Sequence, residues 1–321
     1  MAITNMQEGE LNYLGLIKND KSKLLAIISI IIIGLSLQNP LTAKELKVLH
    51  EKTFNVSKGQ MLELYADVGD VKVNSWEKNE LYVKVLGNDR AEEKLEFEFV
   101  TTENGVKITA KKEGSSWFSW FSSIKLKFEI MVPSEFDSNI RTAGGDVIFS
   151  DIFGNSDIRT SGGDVKLRGT GGDLLLKTSG GDIEVVNHNG DAEMGTSGGD
   201  INVDGLMGNI DASTSGGDVK MNIVKGKVEA GTSGGDISLS YSGPNMGIFL
   251  STSGGNIHVY LPGDIQASAD LRTSGGDIEC SLPATRTNKV SSSKFEGEIN
   301  GGGNVIRCKT SGGDIILKEK S

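Results

Sequence analysis

The sequence predicts an all-β fold: a β-solenoid built of 18-residue coils, two short strands per coil, with an irregular β-rich N-terminal cap. Three observations carry this prediction. A motif of the form Thr-Ser/Ala-Gly-Gly-Asp/Asn begins at Thr142, Thr160, Thr178, Thr196, Thr214, Thr232, Thr252, Thr273 and Thr310, and the first six copies are 18 residues apart. Self-similarity at a fixed period near 20 marks a repeat architecture in which each unit buries its apolar face against its neighbours. Within each unit apolar and polar residues alternate with period two, the pattern of a strand with one buried face. Glycine is abundant, 43 of 321 residues, and proline is scarce at 5, which suits many tight turns and uninterrupted strand pairing.

Residues 1–43 come first. Leu24 to Leu37 is an apolar run preceded by Lys18, Lys21 and Lys23 and followed by Pro40, Thr42 and Ala43. That order of charged, apolar and small-residue regions is that of a secretory signal, with cleavage after Ala43. The run is shorter than the roughly 20 residues of a membrane span, so an uncleaved anchor is the alternative. No cysteine follows the run, which excludes a lipoprotein.

Residues 44–140 are read as the cap, continuous with the rod. Gly69-Asp70-Val71-Lys72-Val73 is an early copy of the repeat theme. The segments 81–85, 95–99, 106–108 and 124–128 alternate cleanly, and Val132-Pro133 breaks the last run before the array. A solenoid has an open end whose backbone groups would pair with another chain, so it needs an atypical terminal unit. Inside this region Trp117, Phe118, Trp120 and Phe121 crowd into five residues. One reading is a hairpin whose rings cover the core. The other is a loop that inserts into a membrane interface or grips a partner, since tryptophan suits both settings.

Residues 141–321 are the array. After Asp164, Asp182 and Asp200 come Val165 and Leu167, Ile183 and Val185, and Ile201 and Val203, all predicted to point inward. A second turn sits half a repeat later, at Gly154-Asn155, Gly172-Asp173, Gly190-Asp191, Gly208-Asn209 and Gly226-Lys227. It restarts a strand whose inward residues include Leu174, Leu176, Ala192, Met194, Ile210 and Ala212. Stacking identical side chains at identical phase favours a solenoid of parallel strands over an antiparallel meander, with coils about 4.8 Å apart. The glycine pair is expected to supply positive φ and close approach between coils. The column Asp146, Asp164, Asp182, Asp200, Asp218, Asp236, Asn256, Asp277 and Asp314 is expected to fold side-chain oxygens onto nearby backbone N–H groups and fix the corner. The 37-residue gap before Thr310 reads as two units with a degenerate copy near Gly297-Glu298-Ile299. The charged tail Lys318-Glu319-Lys320 is expected to discourage pairing at the far end.

Stacked carboxylates repel, by about 1 kcal/mol per neighbouring pair even in water, so a calcium-stabilised secreted β-roll is an alternative. Against it, the aspartate follows the glycine pair directly and Lys227 interrupts the half-repeat column. Cys280 and Cys308 both fall on inward positions near the end of the array. They read either as two buried thiols or as one disulfide across the irregular 281–307 stretch.

The net charge of −10 leaves no basic stripe for nucleic acid, and no nucleotide or other cofactor motif appears. His50, His188 and His258 share no local motif with a nucleophile, and His258 lies on an outward position. An envelope glycan-active enzyme remains only as an alternative, because a tertiary cluster leaves no mark in sequence.

The leader, the Gly-Asp-Val-x-Val opening, Val-Pro before the array and the recurring Thr-Ser-Gly-Gly-Asp-Ile together resemble a bacterial family. It is the putative-adhesin β-strand-repeat family of unknown function, related to toastrack-type cell-envelope domains. The resemblance spans roughly residues 45–321. It implies an exported, non-enzymatic module in the periplasm, at the cell surface or outside the cell. Such a module would bind or support an envelope component, whether glycan, lipid or protein, with membrane-surface contact as one form. No anchoring or accessory domain is evident beyond the leader, so envelope-stress sensing is an alternative rather than the first reading.

Overall fold

The computed structural model describes residues 46–112 and 124–320. The predicted leader, 1–43, therefore lies outside the described residues. Two long sheets of 13 and 14 strands face each other across one core. In the array, the strand after each motif belongs to the first sheet, as in Val165–Gly171, Ile183–Asn189 and Ile201–Met207. The strand before each motif belongs to the second, as in Leu174–Lys177, Ala192–Gly195 and Ile210–Ser213. From Val147 to Leu261 each strand pairs in parallel with its equivalent one coil away: Val165 with Ile183, Leu167 with Val185, Leu174 with Ala192, Leu176 with Met194. This is the solenoid; a meander would pair consecutive strands antiparallel.

The alternation read from sequence is the burial observed. Val165, Leu167, Ile183, Val185, Leu176 and Met194 are buried while Lys166, Glu193 and Lys177 are exposed. Each buried Val, Ile or Leu is worth about 1.5–3 kcal/mol relative to exposure, so four per coil hold the two thin sheets together. The small Ala192, Ala212 and Ala230 on the second sheet let it approach larger residues of the first.

Both ends depart from chain order. At the N-terminal end the strands Met61–Ala66 and Asp70–Trp76 form the coil that touches the array, pairing with Asp137–Thr142 and Val147–Ser150. The later strands Gly105–Lys112 and Leu126–Pro133 form a coil outside it, with Leu64 beside Ile108 and Val73 beside Ile130. Antiparallel strands then close both sheets: Glu80–Gly87 and Lys47–Asn55 on the first, Leu95–Thr102 on the second. A single-turn helix, Asp89–Lys94, links them, its first turn capped by the Asn88 side chain accepting from the Ala91 amide at 3.0 Å.

At the C-terminal end sequential stacking, with a degenerate copy near Gly297, is overturned. The last coil, Val305–Lys309 and Ile315–Glu319, inserts inside the coil that precedes it in sequence. Val305–Lys309 pairs with Ile248–Ser251 on one side and Ala267–Arg272 on the other. Ile315–Glu319 lies between Ile257–Leu261 and Ile278–Cys280. The intervening residues form an antiparallel hairpin, Ala284–Ser291 with Lys294–Ile299, that extends the second sheet beyond Ala267–Arg272. Leu282, Phe295 and Ile299 are buried there and plug the core. The physical reason is that motif-bearing coils present the same edge to each other, so either order satisfies the ladder, but only the outermost coil can continue into the hairpin. The Lys318-Glu319-Lys320 tail is therefore not an end guard. Lys318 pairs with Glu279 at 3.2 Å and Lys320 Nζ donates to Ser242 Oγ at 2.9 Å, both within the rod.

Candidate functional site

The turn column is a continuous hydrogen-bond ladder. Each Asp backbone N–H donates to the carboxylate Oδ1 of the preceding coil: Asp164 to Asp146 at 2.9 Å, Asp182 to Asp164 at 3.0 Å, and Asp200, Asp218 and Asp236 each to its predecessor at 2.8 Å. The column starts one step earlier than the nine motifs, since Asp146 donates to Asp70 at 3.1 Å. It ends in stack order, Asn256, then Asp314, then Asp277. The side chains thus bond the next coil rather than their own corner. Each carboxylate beside a backbone donor offsets part of the repulsion from its neighbours. Among the described residues no group of three or more His, Cys, Asp or Glu is placed to hold a metal ion.

Threonine and glycine complete the corner. From Thr160 onward each motif Thr hydroxyl donates to the second Gly carbonyl of the preceding coil in the stack, as Thr196 does to Gly181 and Thr214 to Gly199, both at 2.9 Å. That carbonyl then stands directly over the second Gly of the next coil. A Cβ at Gly199 would lie 2.2 Å from the Gly181 oxygen, whereas at Gly198 the nearest atom would be 3.6 Å away. The motif pairs have ordinary φ, so their expected positive φ is corrected: close approach selects the second glycine. Positive φ belongs instead to the half-repeat glycines, such as Gly172 and Gly190.

A second, shorter ladder runs along the half-repeat edge. The Asn155 amide donates to Asp137, Asp173 to Asn155, Asn209 to Asp191 and Lys227 to Asn209, at 2.8–3.0 Å. Lys227 ends it because its side chain offers no acceptor.

Trp117, Phe118, Trp120 and Phe121 lie outside the described residues, but their flanks are placed. Ala66, Ala110 and Thr142 are in register on the second sheet, and Val71, Phe128 and Val147 on the first. Lys112 ends a strand of the second sheet and Leu126 begins one of the first, so the chain between these strands connects the two sheets. The Lys112 amide donates to Asp67 at 2.8 Å, and Asn88 and Lys125 bond through their backbones at 3.1 Å. Lys47 is in register with Gly87, and Gly87 with Leu126. Lys47, Gly87 and Leu126 therefore lie side by side on the first sheet.

Cys280 and Cys308 are free thiols on opposite sheets. Burial pushes the Cys308 thiol far up, with Asp270 and Cys280 adding to it, and burial also raises Cys280. His188 is a buried polar residue the sequence reading passed over. Its Nδ1 lies 3.0 Å from Thr170 Oγ1, while Nε2 is buried without a partner. Burial holds its pKa below the ordinary value, opposed by the nearby backbone of Asp191 and Gly172. The signal was available: His188 and Thr170 stand six residues after Asp182 and Asp164, where the next coil has Leu206.

Two grooves lie on the outer faces. One of about 620 Å³ runs along the second sheet and is lined by Asp157, Asp173, Asp191, Glu193, Asp211 and Glu229. Burial raises the Asp211 pKa, and Glu229 and Glu193 on either side add to it. The other, about 780 Å³, lies on the first sheet and is lined by amide, hydroxyl and charged side chains of both signs with Tyr260 at one end.

The Toastrack DUF4097 family model matches residues 60–318, well over half of the chain. Among solved structures, the chain is similar to a putative adhesin from Bacteroides fragilis, with 14% identity, TM-score 0.41, and coverage of 87% of this chain and 98% of that one. It is also similar to a putative lipid binding protein from Parabacteroides distasonis, with 12% identity, TM-score 0.38, and coverage of 87% and 98%. A putative cell adhesion protein from Clostridium sporogenes matches at 11% identity and TM-score 0.22, with coverage of 85% and 100%. Comparison with curated proteins gave no match.

Proposed function

The chain belongs to the Toastrack DUF4097 family, and we propose that it is an exported, non-enzymatic binding or structural module of the cell envelope. The observation that carries this reading is the aromatic cluster of the sequence, four large rings in five residues. Along the array each turn is the same five residues, bonded to the turns above and below, and this regularity offers no reacting group. Trp117, Phe118, Trp120 and Phe121 follow no such rule, and they fall in the sequence between the strands Gly105–Lys112 and Leu126–Pro133. Clustered tryptophan and phenylalanine suit contact with a membrane surface, tryptophan because its apolar ring carries one polar N–H. Among the described residues no helix is long and apolar enough to cross a membrane.

Co-sedimentation of the full chain with separated membranes, peptidoglycan and surface polysaccharide tests the reading. Pelleting with one fraction is expected, and a Trp117→Ala, Trp120→Ala double variant should lose membrane pelleting while its thermal unfolding is unchanged. Pelleting with no fraction would overturn the binding function. Loss of folding in the double variant would place the rings in the core instead.

A further inference from the structure

We propose that the groove on the outer face of the first sheet binds a neutral, hydroxyl-rich glycan lying along the rod axis. This deepens the envelope-module reading and rests on it. The groove floor is an in-register column on four consecutive coils: Asp204, Asn222, Ser240 and Tyr260. Beside it runs a second column, Asn202, Lys220 and Ser238. The chemistry is that of sugar recognition rather than of an ionic ligand.

Three features define that chemistry. The Asn222 amide donates to Asp204 Oδ1 at 2.8 Å, which fixes a planar polar pair and leaves Asp204 Oδ2 and the Asn222 carbonyl as acceptors. Such a pair can take two adjacent hydroxyls at once. Tyr260 stands in the same column two coils further on, roughly 10 Å away at about 4.8 Å per coil. It is 37% exposed and offers a flat face to the C–H side of a pyranose ring. The charges cancel: Glu184 and Asp204 are matched by Lys220 and Lys320. In a chain whose net charge is −10, a groove without net charge neither recruits a polycation nor neutralises a polyanion. The groove follows the stacking direction, so its polar groups repeat along a line, and an extended polymer meets them in series. The second-sheet groove also has amide and hydroxyl side chains, but its six carboxylates face a single lysine, Lys227, so it carries a net negative charge.

Affinity electrophoresis of the full chain, through gels carrying mannan, galactan or β-glucan, tests the assignment. At least one polymer should retard the native chain. Tyr260→Ala and Asp204→Ala should each raise the apparent dissociation constant about tenfold. Both side chains point outward, so thermal unfolding should be unchanged, and Glu193→Gln on the opposite sheet should bind like the parent. Equal retardation of parent and variants, or none in any gel, overturns the proposal. Pelleting with membranes without retardation removes the glycan and leaves the envelope function. Retardation without pelleting does the reverse.

Discussion

Alanine at Gly217 and alanine at Gly216 should behave oppositely, although the two residues are adjacent in one turn and both have ordinary φ. A Cβ at Gly217 would lie 2.1 Å from the Gly199 oxygen and 2.5 Å from its carbon. Neither atom can step aside, because the Gly199 carbonyl is held by the Thr214 hydroxyl at 2.9 Å. Relief needs the coils to separate by about 1 Å, well beyond contact distance tolerance. That movement also stretches the bond from the Asp218 amide to Asp200 Oδ1, now 2.8 Å. Overpacking costs about 1–3 kcal/mol, and two weakened hydrogen bonds add about 1 kcal/mol each, so Gly217→Ala should lose about 3–5 kcal/mol. At Gly216 the nearest atom to the new Cβ is 3.4 Å away. Gly216→Ala should change stability by no more than about 0.5 kcal/mol, or gain slightly by restricting the unfolded chain. Urea unfolding followed by circular dichroism reads the difference, supported by hydrogen exchange because long arrays need not unfold in one step. Equal midpoints for the two variants would refute close approach as the reason for the second glycine.

Two other perturbations test particular groups. The His188 pKa is depressed in the folded chain, so its contribution to stability is present above the unfolded value near 6.5 and is lost as pH falls through the folded value. His188→Leu, which copies Leu206 of the next coil, should flatten the fall in melting temperature between pH 7.5 and pH 5, and an unchanged slope would show that this imidazole stays neutral in neither state or both. For the thiols, the raised pKa values and the burial of Cys308 predict slow reaction with a thiol reagent in the native chain and two reactive thiols per chain in denaturant without reductant. Finding none in denaturant would establish the disulfide instead.

Much of this fold was legible because the repeat repeats its physics. The 18-residue period, the inward positions and the parallel stacking all follow from one coil, since every coil solves the same problem as its neighbour. The order of the coils was not legible, for the same reason: the Asp277 and Asp314 corners are chemically alike, and nothing local tells which one Asn256 accepts from. Topology there is decided by Phe295 and Ile299 closing the core from a hairpin, a long-range effect that alternation alone reads as one more degenerate coil. The aspartate column was visible as a column, but its bonding direction was not, because the acceptor and donor sit 18 residues apart and become neighbours only in the stack. The grooves were hidden in the variation of the outward positions. In sequence Asp204, Asn222, Ser240 and Tyr260 are separate outward residues, and only the register lines them up.

The back-folded ends have a direct consequence for motion. In a linear array the terminal unit has one neighbour and frays first. Here the last coil in sequence has two, with Thr310 bonded to Gly255 at 2.8 Å and Thr273 bonded to Gly313 at 2.7 Å. Native-state hydrogen exchange across the whole chain therefore tests the interlocked ladder most directly. The amides of Ile306, Cys308, Asp314 and Ile315 should be protected as strongly as those of Ile201 and Val219 in the middle of the array, with the Ala284–Ser291 strand opening earlier. Exchange of 305–319 ahead of 267–280 would contradict the inserted coil and return the C-terminal residues to an exposed end.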